Sequence, residues 1–103
     1  MKKAVVFAAL VGLMATPALA EDGAKLYAEK TCAACHGADG KKPLMPNYPK
    51  IAGQNAAYLE AQMQDIKSGK RNNGQTAAMK GVMHLVDDAQ IKVLADYVSK
   101  MAP

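Results

Sequence analysis

The chain's only two cysteines lie in one pentapeptide, Cys32-Ala33-Ala34-Cys35-His36, which also contains one of its two histidines. Thiols at positions i and i+3 share one side of a helical turn, so both can reach the vinyl groups along one edge of a porphyrin. The imidazole directly after the second thiol is then placed to ligate the iron. This spacing is the attachment signature of a c-type haem. We therefore expect one covalently bound haem c, with its iron, as the cofactor.

Two other chemistries use closely spaced cysteines. A thioredoxin-like dithiol expects a strand before the motif within a βαβ unit, whereas residues 23–30 have a helical pattern. A structural zinc site needs four ligands, and the motif together with the distant His84 does not have a zinc-finger spacing. The sequence favours the haem interpretation over both.

The N-terminus has the features of a secretory signal peptide. Residues 2–3 are basic, residues 4–15 are apolar, and residues 18–20 form a small-x-small cleavage site. The apolar run of about a dozen residues is too short to span a bilayer comfortably. We expect residues 1–20 to be cleaved after Ala20. Residues 21–103 then form one periplasmic domain without stable membrane insertion.

Apolar residues recur at helical spacing in three segments of the mature chain. The first covers about Asp22–Ala34. The second follows an N-cap at Asn55 and ends before Gly69, a C-terminal stop residue. The third begins at Asp87, which forms a capping-box-like pair with the residue three positions on, and runs to about Met101. The pattern predicts an all-α protein with three main helices.

Two segments between these helices have loop composition. Gly37–Gly53 is rich in glycine and proline, and Ser68–Gly81 contains the turn signal Asn72-Asn73-Gly74. Tryptophan is absent and the single phenylalanine, Phe7, lies in the signal peptide. A short chain so poor in large side chains needs other buried apolar area, and a covalent porphyrin supplies it. We therefore expect ordered loops wrapped around the haem.

An electron-carrying haem needs a second axial ligand downstream of the motif. The candidates are Met45, Met63, Met79, Met83, Met101 and His84. Met63 and Met101 belong to helical stripes that core packing explains, and Met45 follows the motif too closely to reach the opposite haem face easily. Met79 and Met83 both lie before the last helix, where the chain must wrap over the far side of the haem. A thioether ligand is soft and raises the reduction potential relative to a second imidazole.

The mature chain resembles a class I c-type cytochrome, in particular the small bacterial monohaem carriers and single halves of their tandem dihaem relatives. The resemblance covers nearly all of residues 21–103. The matching segments are Gly23–Tyr27, Cys32–Gly37, Pro49–Gln54, Tyr58–Leu59, Gly69–Arg71, Met79–Val82 and Leu94–Tyr97. It implies the cytochrome c fold around one covalent haem, and a one-electron carrier rather than an enzyme.

The resemblance also implies the second iron ligand. In this family the methionine ligand precedes the last helix by a short apolar link, which here implies Met79 as the partner of His36. Met83 and His84 remain the alternatives.

Supporting roles are implied in the same way. Pro49 resembles the proline whose carbonyl accepts a hydrogen bond from the ligand histidine, His36. Gly23 and Tyr27 resemble the pair that packs closely against the last helix near Tyr97. Three polar residues are implied as contacts near the haem propionates, with a plain surface role as the alternative: Gln54, Tyr58 and Arg71.

Charge is unevenly distributed along the chain. Without Lys2 and Lys3 the formal net charge falls from +4 to +2. Residues 40–80 hold seven basic against two acidic residues, whereas residues 21–39 and 81–103 are net acidic. We hypothesise a mildly basic face near the haem, which would steer acidic redox partners and weaken with salt; the alternative is a dispersed, solvated distribution of these charges. We expect a diffusible monomer that meets membrane or periplasmic oxidoreductases and a terminal oxidase or reductase, with no nucleic-acid partner.

Overall fold

The computed structural model describes residues 22–103, and this part of the chain consists of helices and irregular segments without a β-strand. Its helices are α1 (Gly23–Glu29), α2 (Cys32–His36), α3 (Ala56–Ser68), α4 (Thr76–Met83) and α5 (Asp88–Ser99). The predicted all-α class is confirmed. The predicted signal peptide, residues 1–20, lies outside the described residues. Within residues 22–103, no helix has the length and apolarity that crossing a bilayer requires.

The two long helices begin where the sequence predicts, and they end within two residues of the predicted positions. Before α3, the Asn55 side chain accepts the backbone N–H of Tyr58 at 3.1 Å, and Gly69 ends this helix with a left-handed φ of 88°. Before α5, the Asp87 carboxylate accepts the N–H of Gln90 at 2.8 Å, while the Gln90 side-chain oxygen accepts the N–H of Asp87 at 3.0 Å. The capping box is thus complete, and both predicted helices are confirmed.

The predicted first helix, Asp22–Ala34, is wrong in one respect, because it is two helices. Thr31 lies between α1 and α2 with a left-handed φ of 64°, a conformation that β-branched residues rarely adopt. This residue interrupts the helix just before the haem motif. The motif therefore occupies its own helical turn, α2, with Cys32 and Cys35 three residues apart on it.

The predicted second loop, Ser68–Gly81, is wrong in its second half, where the chain forms α4. The N–H of Thr76 donates to the carbonyl of Asn73 at 3.0 Å, which closes the turn that precedes the helix. The following alanine, methionine and lysine residues favour a helix enough to outweigh the single glycine inside it. Met79 and Met83 therefore lie one helical turn apart on α4.

The core lies where α1, α3, α5 and the end of α4 meet. Its buried residues are Leu26, Tyr27, Leu59, Ile66, Met83, Val86, Ile91, Leu94, Ala95 and Val98. α1 and α5 cross closely because Gly23 has no side chain, and a Cβ there would lie 2.6 Å from the Cβ of Tyr97. The rings of Tyr27 and Tyr97 pack with their centroids 5.7 Å apart. The predicted packing of Gly23 and Tyr27 against the last helix is confirmed, and it anchors the helix that leads into the haem motif.

Candidate functional site

A cavity of about 290 Å³ opens between the helices and the loops that follow α2 and α3. Each of α1 to α5 contributes to its wall, which is mainly apolar. The residues predicted to attach a haem and to ligate its iron all line this cavity: Cys32, Cys35, His36 and Met79. Its volume is close to the lower end, about 300 Å³, of typical small-molecule sites. The fold thus gathers the chemically distinctive residues at one place.

His36 is one of two buried polar residues that line this cavity; it and Thr76 each have 7% of their surface exposed. The Nδ1 of His36 lies 2.9 Å from the carbonyl oxygen of Pro49. A carbonyl oxygen can only accept, so Nδ1 carries the hydrogen and donates it. The other ring nitrogen, Nε2, then holds a lone pair, which is the form of imidazole that ligates a metal. The predicted contact between His36 and Pro49 is present, and it sets the tautomer.

The two thiols are half-buried in the wall and are not joined as a disulfide. Burial, with a smaller contribution from neighbouring Cys35, raises the pKa of the Cys32 thiol to about 11. Thiol–disulfide exchange needs the thiolate, which a raised pKa disfavours. Nowhere in residues 22–103 do three His, Cys, Asp or Glu side chains converge as ligands for an ion. The geometry of this part of the chain therefore supports neither the redox-dithiol nor the zinc alternative.

The six candidates for a second ligand occupy different environments. Met79 and Met63 line the cavity, and the other four do not. Met83 is 1% exposed and belongs to the core. His84 is exposed at the end of α4, and Met45 is 45% exposed. The Sδ of Met101 packs against Gly40, 2.8 Å from where a Cβ would be.

Among the three predicted propionate contacts, only Arg71 lines the cavity. Its Nη1 donates to the Oε1 of Gln62 at 3.2 Å, which holds the guanidinium at the wall. The side-chain oxygen of Gln54 instead accepts the N–H of Asn55 at 3.0 Å, and Tyr58 is 52% exposed on α3. Gln54 and Tyr58 lie outside the lining of this cavity, and their roles near a haem stay predictions.

The sequence did not predict several polar residues that line the cavity: Asn47, Tyr48, Gln62, Asn73, Gln75 and Thr76. Gln62 could have been found, because it lies three residues after Leu59 and four before Ile66, on the buried face of α3. The others lie in loops or at the start of α4. No sequence period marks such positions.

The lining residues fit a covalently attached haem. Two thiols on one helical turn suit thioether bonds along one porphyrin edge, and His36 offers a nitrogen lone pair directly beside them. Apolar side chains from three helices, among them Leu59, Ile66 and Leu94, suit the porphyrin faces. The same apolar wall limits the access of water to an enclosed metal.

A family model and several known proteins match most of this chain. The family model for cytochrome c matches residues 20–102. The chain is 34% identical over 104 residues to cytochrome c-553 of Nitratidesulfovibrio vulgaris, an alignment that covers 98% of this chain and 100% of that protein. It is 47% identical over 66 residues to cytochrome c4 of Pseudomonas aeruginosa, which covers 64% of this chain and 31% of the relative.

A solved structure has the same fold. The crystal structure of reduced recombinant cytochrome c4 from Pseudomonas stutzeri superposes with a TM-score of 0.70 at 33% sequence identity. The match covers 84% of this chain and 50% of that one. The chain therefore spans about half of the solved cytochrome c4 and the whole of the cytochrome c-553.

Proposed function

The chain belongs to the cytochrome c family, and on that premise we propose that it is a periplasmic one-electron carrier whose haem iron is ligated by His36 and Met79. Family membership makes it an electron-transfer protein with a covalently bound haem c. One observation carries the ligation proposal. His36, with its tautomer set by Pro49, lines the same cavity as the thioether of Met79.

Each residue of this centre has a distinct role. Cys32 and Cys35 hold the cofactor covalently, and the Pro49 carbonyl orients the imidazole of His36 and increases its basicity. The soft sulfur of Met79 favours ferrous iron and so raises the reduction potential above that of a bis-histidine site. Two side-chain ligands leave little rearrangement to accompany a change of oxidation state. When bound, the haem supplies the Fe(III)/Fe(II) couple.

Position favours Met79 over the other methionines. Met83 is packed in the core and does not line the cavity. Met63 and Met79 both line it and both pack against the core, but Met63 also belongs to the apolar stripe of α3 with Leu59 and Ile66. Met79 lies on α4, the element directly before the last helix, which is where the family resemblance places the ligand.

The proposed compartment rests on residues 1–20, whose pattern is that of a cleavable export signal. In the periplasm the protein would take electrons from respiratory donors and pass them to a terminal oxidase or reductase. Carriers of this kind meet their partners through small, short-lived interfaces. We accordingly expect a monomer in solution.

A redox titration of the holoprotein, followed by visible spectroscopy, tests the carrier proposal. We expect one reversible one-electron step at a positive potential, with low-spin spectra in both oxidation states. A high-spin ferric haem that readily binds added cyanide would indicate an open sixth position and contradict the proposal.

The proposed compartment has its own test. The intact mass of protein isolated from the periplasm should correspond to a chain starting at Glu21 with one haem attached. A mass that includes residues 1–20 would refute cleavage after Ala20.

A further inference from the structure

Two adjacent apolar side chains are exposed to solvent on the loop that follows α2. Leu44 is 71% exposed and Met45 is 45% exposed. They lie between Pro43 and Pro46, and we name this pair, Leu44 and Met45, the apolar tip. Single exposed apolar residues are common on protein surfaces. Leu44 and Met45 are instead adjacent in the chain, and contiguous exposed apolar surface is a feature of interaction sites.

The apolar tip is held against the haem-attachment helix. The N–H of Leu44 donates to the carbonyl of Cys35 at 2.8 Å, and the carbonyl of Met45 accepts the N–H of Tyr48 at 3.0 Å. Gly37 allows the loop to close, because a Cβ there would lie 2.7 Å from the Lys42 carbonyl oxygen. The tip is therefore ordered before any partner arrives, which lowers the entropic cost of docking.

The tip also lies close in the chain to the wall of the cavity. Asn47, Tyr48 and Pro49, which are two to four residues after Met45, line the cavity. A protein seated on Leu44 and Met45 would thus contact the segment that borders the redox centre. Close approach to that centre is what a docking surface for electron transfer needs.

The surroundings of the tip are basic. Lys41, Lys42 and Lys50 flank it in the sequence, and none of them belongs to the ion pairs formed within residues 22–103. In residues 37–54 the only acidic residue is Asp39, whose carboxylate accepts the backbone N–H of Lys41 at 3.1 Å. An apolar centre with a basic rim is complementary to an apolar patch that carboxylates surround.

We infer that the apolar tip, with its rim of Lys41, Lys42 and Lys50, is the docking surface for an acidic redox protein. The inference rests on the proposed carrier function and assigns its partner surface. The lysines steer the encounter through long-range attraction. Leu44 and Met45 then supply the apolar contact that holds the encounter complex in a transfer-competent orientation.

The test compares Leu44→Ser/Met45→Ser with Leu85→Ser in the holoprotein. Leu85 is a matched control, because it is 58% exposed but lies in the turn between α4 and α5. The probe is an acidic cupredoxin whose apolar patch is ringed by carboxylates, and hexacyanoferrate(III) serves as a small oxidant with no protein interface. Stopped-flow absorbance gives the second-order rate constants, and the reduction potentials are measured alongside.

The double variant should react about five- to tenfold more slowly with the cupredoxin, a loss typical of removing central apolar contacts. Its rate with hexacyanoferrate and its potential should equal those of the wild type, and Leu85→Ser should match the wild type in both reactions. Lys41→Gln/Lys42→Gln/Lys50→Gln should flatten the ionic-strength dependence of the cupredoxin reaction.

Three results would overturn the inference. They are an unchanged cupredoxin rate in the double variant, an equal loss in Leu85→Ser, or a wild-type dimer that the double variant abolishes, since the tip would then bind a second copy of the chain. Failure of the carrier proposal is distinguishable, because it would show in the wild type as the absence of a reversible, low-spin redox centre.

Discussion

The two sides of the candidate haem site are held in different ways. The histidine side, residues 32–53, is held together by hydrogen bonds that main-chain carbonyl groups accept. The carbonyl of Gly40 accepts the N–H groups of Ile51 and Ala52 at 2.8 and 3.1 Å, and the carbonyl of Pro49 accepts from His36. The methionine side, residues 69–88, has main-chain bonds to α3 at its start, where the N–H groups of Gly69 and Arg71 donate to the carbonyls of Ile66 and Asp65 at 3.2 and 3.0 Å; its far end is held by side chains. Lys67 reaches it from α3, donating to the carbonyl of Val86.

The difference concerns which ligand is the more firmly placed. Main-chain bonds between loop segments hold the part of the chain that contains Pro49, whose carbonyl directs the imidazole, and these main-chain bonds cannot be lost by a side-chain rotation. The far end of the methionine side is held by the burial of Met83 and Val86 in the core and by the long, flexible side chain of Lys67, which also lies 3.8 Å from the Asp88 carboxylate. We therefore expect the methionine side to loosen first under stress, while the histidine side opens only with global unfolding.

The largest expected effect comes from adding a methyl group on the histidine side. Gly37→Ala places a Cβ 2.7 Å from the Lys42 carbonyl oxygen at a φ of 89°, so it should lower the free energy of unfolding by about 3 kcal/mol through strain and overlap. Gly74→Ala on the methionine side is the control, because its φ is 54° but no atom lies within 4 Å. It should cost only about 1 kcal/mol. Denaturant unfolding of both holoproteins measures the two losses in the free energy of unfolding. Equal losses in Gly37→Ala and Gly74→Ala would refute the expected difference between the histidine side and the methionine side.

The second prediction concerns alkaline pH. Tyr27 donates from its hydroxyl to the Gly37 carbonyl at 2.6 Å, and burial raises the pKa of Tyr27 to about 12 from its ordinary value of 10. The folded state therefore favours the neutral phenol. Its contribution to stability is complete below pH 10 and is lost as the pH rises through 12, a loss of about 2 to 3 kcal/mol.

Tyr27→Phe isolates this contribution. At pH 7 the variant should lose about 1 kcal/mol with the hydrogen bond to Gly37. Between pH 10 and 12 its free energy of unfolding should fall less steeply than that of the wild type, because no phenol titrates at this position. Parallel curves for the two proteins would contradict the assignment.

The smallest expected effect tests the methionine side. Lys67→Met keeps most of the side-chain volume but removes the ammonium group, and should lower the free energy of unfolding by about 1 kcal/mol. In Lys67→Met, the far-red ferric absorption band that marks iron–thioether bonding should also fade on warming well before global unfolding. Lys100→Met removes an ion pair between largely exposed side chains, at 3.1 Å from Asp96, and should change the stability by less than about 0.5 kcal/mol. Equal melting of the band in both variants would exclude a positioning role for Lys67.

The same division explains what the sequence could predict. On the histidine side, the haem motif is predicted from its CxxCH spacing and lies on one helical turn in the structure. The contact between His36 and Pro49 is predicted from the family resemblance and is also present. The caps at Asn55 and Asp87 are likewise local, since each acts on an N–H group three residues away.

What the sequence did not predict depends on tertiary packing. The left-handed Thr31 runs against the local preference of a β-branched residue, so no sequence signal marks the break between α1 and α2. α4 has only eight residues, which are too few to be stable alone. The turn residues that precede it, Asn72-Asn73-Gly74, indicated a loop. The burial of Met83 in the core supplies the stability that local signals lack.

The ferric far-red spectrum of three volume-conserving variants tests the His36/Met79 centre most directly: Met79→Leu, Met63→Leu and Met83→Leu. Replacing methionine by leucine removes the sulfur while largely preserving packing. We predict that the iron–thioether band disappears in Met79→Leu alone, with the haem still attached to Cys32 and Cys35. A band that survives in Met79→Leu, or that is lost in Met63→Leu or Met83→Leu instead, would contradict the account.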